Sequence, residues 1–182
     1  MRAKRTKTTS GSTFSNKKIQ LIPIGIIHSP FTQMIGTPIQ SAFSKDGKGT
    51  VEIFPQFKRG LKDLKGFSHI ILIYHFHKSK GYRLLCRPFL DKVERGIFAT
   101  RAPARPNPIG LSIVRLNKIK DNILSVASLD VLDGTPLIDI KPYIPHFDSL
   151  KTLKIGWFEK AFRKKKKAPT ADDRFIDIER EE

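Results

Sequence analysis

Two arginines and an asparagine lie in a run braced by prolines, Gly96-Ile97-Phe98-Ala99-Thr100-Arg101-Ala102-Pro103-Ala104-Arg105-Pro106-Asn107-Pro108-Ile109-Gly110-Leu111-Ser112. Three prolines within six residues forbid a helix, and each biases the residue before it toward an extended backbone. Asn107 is flanked by prolines on both sides, so its backbone is restrained before any ligand arrives and less entropy is lost on binding. Arg101 and Arg105 offer planar donor forks matched to a carboxylate or a phosphate. The pattern favours a preorganised anion-binding loop, with Ser112 nearby, over a stiff surface loop carrying two solvated arginines.

A second informative run spans 129–145, Leu-Asp-Val-Leu-Asp-Gly-Thr-Pro-Leu-Ile-Asp-Ile-Lys-Pro-Tyr-Ile-Pro. Simple alternation predicts Leu137, Asp139 and Lys141 on one strand face, and Ile138 and Ile140 on the other. Asp139 and Lys141, two apart, are placed to pair or to address a polar ligand together. Asp133-Gly134 is turn chemistry, with Gly134 tolerating positive φ. His69, His75 and His77 fall on one face of a predicted strand, opposite Ile70, Leu72, Tyr74 and Phe76. A His-x-His pair can bind metal, but zinc takes three or four protein ligands and no third has suitable spacing, so no metal is expected. Cys86 reads as a small buried residue rather than a nucleophile, and a single cysteine excludes an internal disulfide.

These residues need a scaffold, and the chain between its ends is mostly short extended segments punctuated by Gly and Pro. Strands are predicted over 20–28, 50–54, 68–77, 96–100, 111–119, 122–129 and 137–141. A short helix is expected over 56–65, with Leu61 and Leu64 facing inward, and helical periodicity returns around 157–162. Lys120-Asp121-Asn122 separates two alternating runs and predicts a hairpin. Many strands and few helices predict a mainly β fold, a single antiparallel β-barrel with one or two short helices. A doubly wound nucleotide fold is disfavoured: Gly47-Lys48-Gly49 opens a glycine fingerprint that Glu52 leaves incomplete, and no Walker loop occurs.

The chain has 182 residues, 39% of them hydrophobic, enough for one barrel-sized core. Its longest apolar stretch, 70–74, is far shorter than the ~20 residues of a membrane span. Lys and Arg number 34 against 17 Asp and Glu, a formal net charge of +17. The charge is not confined to the ends: the middle, 19–158, is itself basic. Such a surface attracts polyanions, nucleic acid first among them; a merely soluble cationic protein is the alternative. The expected organisation is a basic disordered tail over 1–18, a barrel domain over 19–158 and a charged C-terminal tail over 159–182, in the cytoplasm.

The segments Ile24-Gly25-Ile26-Ile27-His28-Ser29-Pro30-Phe31 and Gly66-Phe67-Ser68-His69, together with 98–112 and 132–145, resemble the TsaA-like (TrmO-like) family, which includes the VirR proteins. The resemblance covers 22–148 in order. It implies a β-barrel, a homodimer and bound S-adenosylmethionine. It also implies methylation of the 6-amino nitrogen of threonylcarbamoyladenosine, next to the anticodon of a threonine tRNA. The family's cofactor-contacting positions fall on Ile39, Gln40, Ser41, His77, Lys78, Arg101 and Leu111, and on Ile138, Asp139, Ile140 and Lys141. Within the same signature Asn107, Thr135 and Tyr143 are expected at the substrate, while Asp139, Asp133 and Arg105 are the catalytic candidates. Asp139 or Asp133 would act as base or cofactor anchor, and Arg101 or Arg105 would hold a carboxylate. Many bacterial members carry a second domain after the barrel; here Gly156-Trp157-Phe158-Glu159 and a charged stretch follow, as in shorter, archaeal-looking members. Two other functions fit the residues: methylation of a small molecule or protein, and RNA binding without catalysis.

Overall fold

The computed structural model describes residues 18–44, 47–151, 154–163 and 169–176. Most of the basic stretch 1–18 and the block 164–167 lie outside the described residues. Strands β1 (Gly25–His28), β2 (Gly49–Ile53), β3 (His69–His75), β4 (Leu85–Cys86), β5 (Arg95–Gly96), β6 (Ile109–Lys120), β7 (Ile123–Ala127) and β8 (Thr135–Pro142) are followed by two short helices, α1 (Pro145–Asp148) and α2 (Phe158–Arg163). Six strands close into an antiparallel barrel in the order β1-β2-β7-β6-β3-β8, and β4 and β5 form a separate ribbon. The expected mainly β barrel is therefore the observed architecture.

Alternation drives closure. Ile70, Leu72 and Tyr74 of β3 point inward, as do Val114 and Leu116 of β6, and they meet Ile27, Val51, Ile53, Leu124, Val126 and Leu137 in one core. The hairpin predicted around 120–122 joins β6 to β7 through Asp121, at φ 55°, with Lys120 paired to Ile123. Asn122 Nδ2 then donates to the Ile53 carbonyl at 2.7 Å, tying the turn to β2.

Four sequence expectations change. The helix over 56–65 is two 3₁₀ turns, Pro55–Leu61 and Leu64–Gly66, because Asp63 takes a left-handed backbone, φ 65°, between them. Leu61 and Leu64 still pack on the core. The strand over 96–100 is extended only at Arg95–Gly96, after which Ile97–Ala99 winds into a 3₁₀ turn closed by Thr100 Oγ1–H on the Ile97 carbonyl. The strand over 68–77 stops at His75, where His77 N–H turns back to the His75 carbonyl, so the three histidines do not share one face. The alternation expected in β8 is broken by a bulge: Ile73 pairs with Asp139 but Tyr74 pairs with Leu137, leaving Ile138 unmatched. Leu137 and Ile140 consequently face the core while Asp139 and Lys141 face outward.

Residues 169–176, which the charge pattern places in the C-terminal tail, pack on the barrel. Pro38 bridges Thr170, Phe175 is buried, and its ring meets Phe89 edge-on at 5.0 Å. Phe175 thereby completes a small second core with Cys86, Ile97, Ala102 and Ala104. Among the described residues no helix is long and apolar enough to cross a membrane.

Candidate functional site

Three consequences of this folding create a cavity of about 310 Å³ at one end of the barrel. The first is a kink. Ser128 sits at φ 63° just after β7, where a non-glycine residue rarely goes, and the chain beyond it buries Leu129 and Val131 on one side. Asp130, between them, is turned into the cavity wall. The second is Gly110, directly across from Tyr74; a side chain there would collide with the Tyr74 ring. The glycine lets the phenol lie flat over β6 and reach Ser112. The third is the C-terminal stretch, which adds Ala171, Asp172 and Phe175 to the wall.

The polar heart of the cavity is a directed chain. Ser112 Oγ–H donates to Asp130 Oδ1 at 2.6 Å, and because a hydroxyl has one proton, Tyr74 O–H must donate to Ser112 across 2.9 Å. The Ser41 backbone N–H also serves the Asp130 carboxylate. Burial nevertheless dominates and pushes the Asp130 carboxyl up to about 6, with the hydrogen bonds and the Arg101 charge acting in the opposite direction. Burial likewise raises the Tyr74 phenol far above its usual range, so it remains a proton donor at physiological pH. His77 is lowered, first by burial and then by the Lys78 and His75 charges, and its Nδ1 shares a hydrogen bond with Thr135 Oγ1 at 3.2 Å.

Cations line the same cavity. Arg101 is exposed, and its Nη1 donates to Gln40 Oε1 at 2.7 Å. Arg105 is half-buried and donates Nη1 to the carbonyls of Thr100 and Ala102, at 3.1 and 3.3 Å, so this guanidinium braces the loop that carries Arg101. Together with Lys78 they give one wall positive charge, while Met34, Phe76, Phe89, Ile109 and Leu111 give it apolar surface.

Of the residues singled out in the sequence, Ile39, Gln40, His77, Lys78, Arg101, Arg105, Leu111 and Thr135 line this cavity. Ser41 touches it through its backbone on Asp130. The others lie elsewhere in this chain. Asp133 Oδ1 accepts Ser29 N–H at 3.0 Å and lies 3.7 Å from His28 Nδ1, fastening the turn before β8 to the end of β1. Asp139 and Lys141 form an ion pair at 2.7 Å on the outer barrel face, while Ile140 between them packs on the core and Ile138 is the bulged residue before them. Tyr143 meets His69 edge-on at 6.4 Å, and Asn107 is exposed in the loop before β6. Among the described residues no three His, Cys, Asp or Glu side chains converge as a metal site would require. Sequence reasoning missed Asp130, although an acid enclosed by Leu129, Val131 and Leu132 was a signal: ionised groups seldom sit in apolar runs unless they are used.

Residues 26–149 match the model of the tRNA-methyltransferase O N-terminal domain. The chain belongs to that family. A Pyrococcus abyssi protein, named a probable S-adenosyl-L-methionine-binding protein, is 56% identical over 86% of this chain and 84% of its own length. The Escherichia coli tRNA (adenine(37)-N6)-methyltransferase is 36% identical over 78% of this chain. A crystal structure of TrmO from Pseudomonas aeruginosa superposes with a TM-score of 0.66, at 35% identity over 78% of this chain. The matches span only 65% of the E. coli protein and 63% of the Pseudomonas chain, so the family domain is shared while the remainder of those proteins is not matched.

Proposed function

We propose that this protein is an S-adenosylmethionine-dependent methyltransferase that acts on the 6-amino nitrogen of an adenine in tRNA. Its finer substrate would be threonylcarbamoyladenosine beside the anticodon of a threonine tRNA. The observation that carries the reading is the presence of the Asp130 carboxylate and the Arg101 guanidinium in one cavity of about 310 Å³, close enough for the arginine's charge to act on the acid. That volume lies within the range of small-molecule sites, at its small end. The donor carries a carboxylate, an ammonium, a cationic sulfur and a flat apolar base, and this wall has a counterpart for each. Arg101 and Lys78 suit the carboxylate, Asp130 the positive charges, and Phe89, Ile109 and Leu111 the base.

When bound, a sulfonium donor supplies a methyl group that is already activated. The work left to the chain is alignment, and fixed positioning of this kind can supply roughly 7–11 kcal/mol of barrier reduction. The rigid parts are suited to that task. Tyr74 and Ser112 hold Asp130 at one orientation, Arg105 braces the arginine loop, and the prolines at 103, 106 and 108 remove its slack. Asp130 replaces Asp139 and Asp133 as the cofactor anchor in this reading, because it alone of the three lines the cavity.

We also propose a homodimer. The outer face of β3 and β6 pairs Ile71 with Ile113 and Ile73 with Leu111, so a half-exposed apolar stripe runs from Ile113 to Ile109 and Leu111 at the rim of the cavity. Such an apolar stripe, bordered by the Asp139–Lys141 pair, suits a self-complementary interface. The net charge of +17 supports tRNA as the polyanionic partner, and the protein would act in the cytoplasm. The test is calorimetry with S-adenosylmethionine, followed by transfer of a labelled methyl group to tRNA with and without the threonylcarbamoyl modification. Absence of heat leaves an RNA-binding barrel; heat without transfer to either tRNA points to a different methyl acceptor.

A further inference from the structure

Next to the donor cavity lies a wider apolar groove of about 730 Å³ that the reading above leaves unused. Phe43, Phe89, Phe98, Trp157, Phe158 and Phe175 line it, an unusual concentration of rings for one surface depression. Ile39, Gln40, Thr100 and Arg101 belong to both walls, and the Gln40–Arg101 hydrogen bond stands on this shared boundary.

Two of the rings lie outside both hydrophobic cores. The 3₁₀ turn Ile97–Ala99 sends Ile97 inward, 1% exposed, and Phe98 outward, 79% exposed. Trp157 is half-buried and pinned by Nε1–H on the Ala99 carbonyl at 2.8 Å, with the Arg95 guanidinium 5.9 Å from its ring centre. Arg95 is itself ion-paired to Asp91 at 2.8 Å, which fixes it beside the indole. Both rings therefore hang from the same short turn, immediately before Arg101.

We propose that this groove receives the methyl-accepting purine of the RNA substrate, unstacked from its neighbours and laid against Phe98 and Trp157 with its amino edge toward the donor cavity. The inference rests on the methyltransferase reading. An amino group within a base stack is inaccessible to an enzyme, so its base must be single-stranded or extruded. Aromatic side chains are the usual platforms for such bases, since every base offers a π-face. Donor and acceptor atoms must approach to roughly 3–3.5 Å, so the acceptor's site must border the donor's, as these two hollows do at Ile39, Gln40, Thr100 and Arg101. The basic body of the protein favours a polyanion over a neutral peptide as its partner.

Trp157 is the only tryptophan, so intrinsic emission reports on this groove alone. The probe is an anticodon stem-loop RNA of the tRNA substrate, compared with the same RNA lacking the acceptor base. We expect the complete RNA to quench Trp157 and the abasic RNA to leave it bright. Phe98→Ala, at an exposed position, should weaken RNA binding by about 5- to 150-fold while S-adenosylmethionine affinity by calorimetry stays unchanged, and Phe98→Tyr should restore it. Equal quenching by both RNAs, or an unaltered RNA affinity in Phe98→Ala with methyl transfer intact, would overturn the proposal. A chain that binds no S-adenosylmethionine yet shows base-dependent quenching would refute the donor reading and uphold the groove as a nucleobase site.

Discussion

Replacing Asp130 by Asn should make the protein more stable and less useful. In the unfolded chain this carboxyl titrates near 3.8, whereas in the folded chain burial raises it to about 6. Between those values the folded state keeps a proton that the unfolded state has released, so stability falls as pH rises through the window. Once both states are ionised, holding the native carboxylate in its buried place costs about 3 kcal/mol, the free-energy equivalent of moving its titration from 3.8 to about 6. Asn keeps the oxygen that accepts the Ser112 proton and removes the charge. Urea denaturation of the two proteins should therefore give a stability difference in favour of Asp130→Asn that grows by about 2–3 kcal/mol from pH 4 to pH 7.5. Taking the difference cancels Asp91 and Asp172, whose lowered carboxyls act with the opposite sign in both proteins. Ligand binding should respond in the reverse sense. S-adenosylmethionine affinity in the unmutated protein should weaken as pH falls below about 6, and Asp130→Asn should bind it weakly at every pH. A stability difference that is flat with pH, or full affinity in Asp130→Asn, refutes the assignment of a buried, ionised anchor.

Arg101→Ala removes a cation from the same cavity and should raise the dissociation constant for S-adenosylmethionine roughly 10- to 150-fold by calorimetry, with no loss of thermal stability, since the side chain is exposed. Gly110→Ala forces a methyl group into the Tyr74 ring and should destabilise the barrel by about 1–3 kcal/mol in urea titrations while disordering the Tyr74–Ser112–Asp130 chain. Ile113→Glu places a charge in the outer apolar stripe and should convert a dimer to monomers in analytical ultracentrifugation, leaving the far-ultraviolet spectrum unchanged. The logarithm of the tRNA binding constant should fall linearly with log salt, and a salt-independent affinity would remove the basic surface from the interface.

Local chemistry was enough to read much of this protein from its residues in order. The Asp121-Asn122 hairpin, the Gly134 turn at φ 72° and the inward faces of β3 and β6 follow from turn preferences and a period of two, which depend on neighbours a few positions away. The arginine loop was legible for the same reason: prolines impose their restraint wherever the chain goes. Tertiary structure decided what alternation could not. One unmatched residue in β8, Ile138, reverses the face of everything after it, so Asp139 and Lys141 part from Leu137 and form their ion pair on the outer face. The kink at Ser128 places Asp130 against Ser112, and the return of 169–176 sets Phe175 against Phe89; both juxtapose residues far apart in the chain. The Asp130 carboxyl is raised because the fold buries it, and burial is a property of the closed barrel that no stretch of sequence possesses alone.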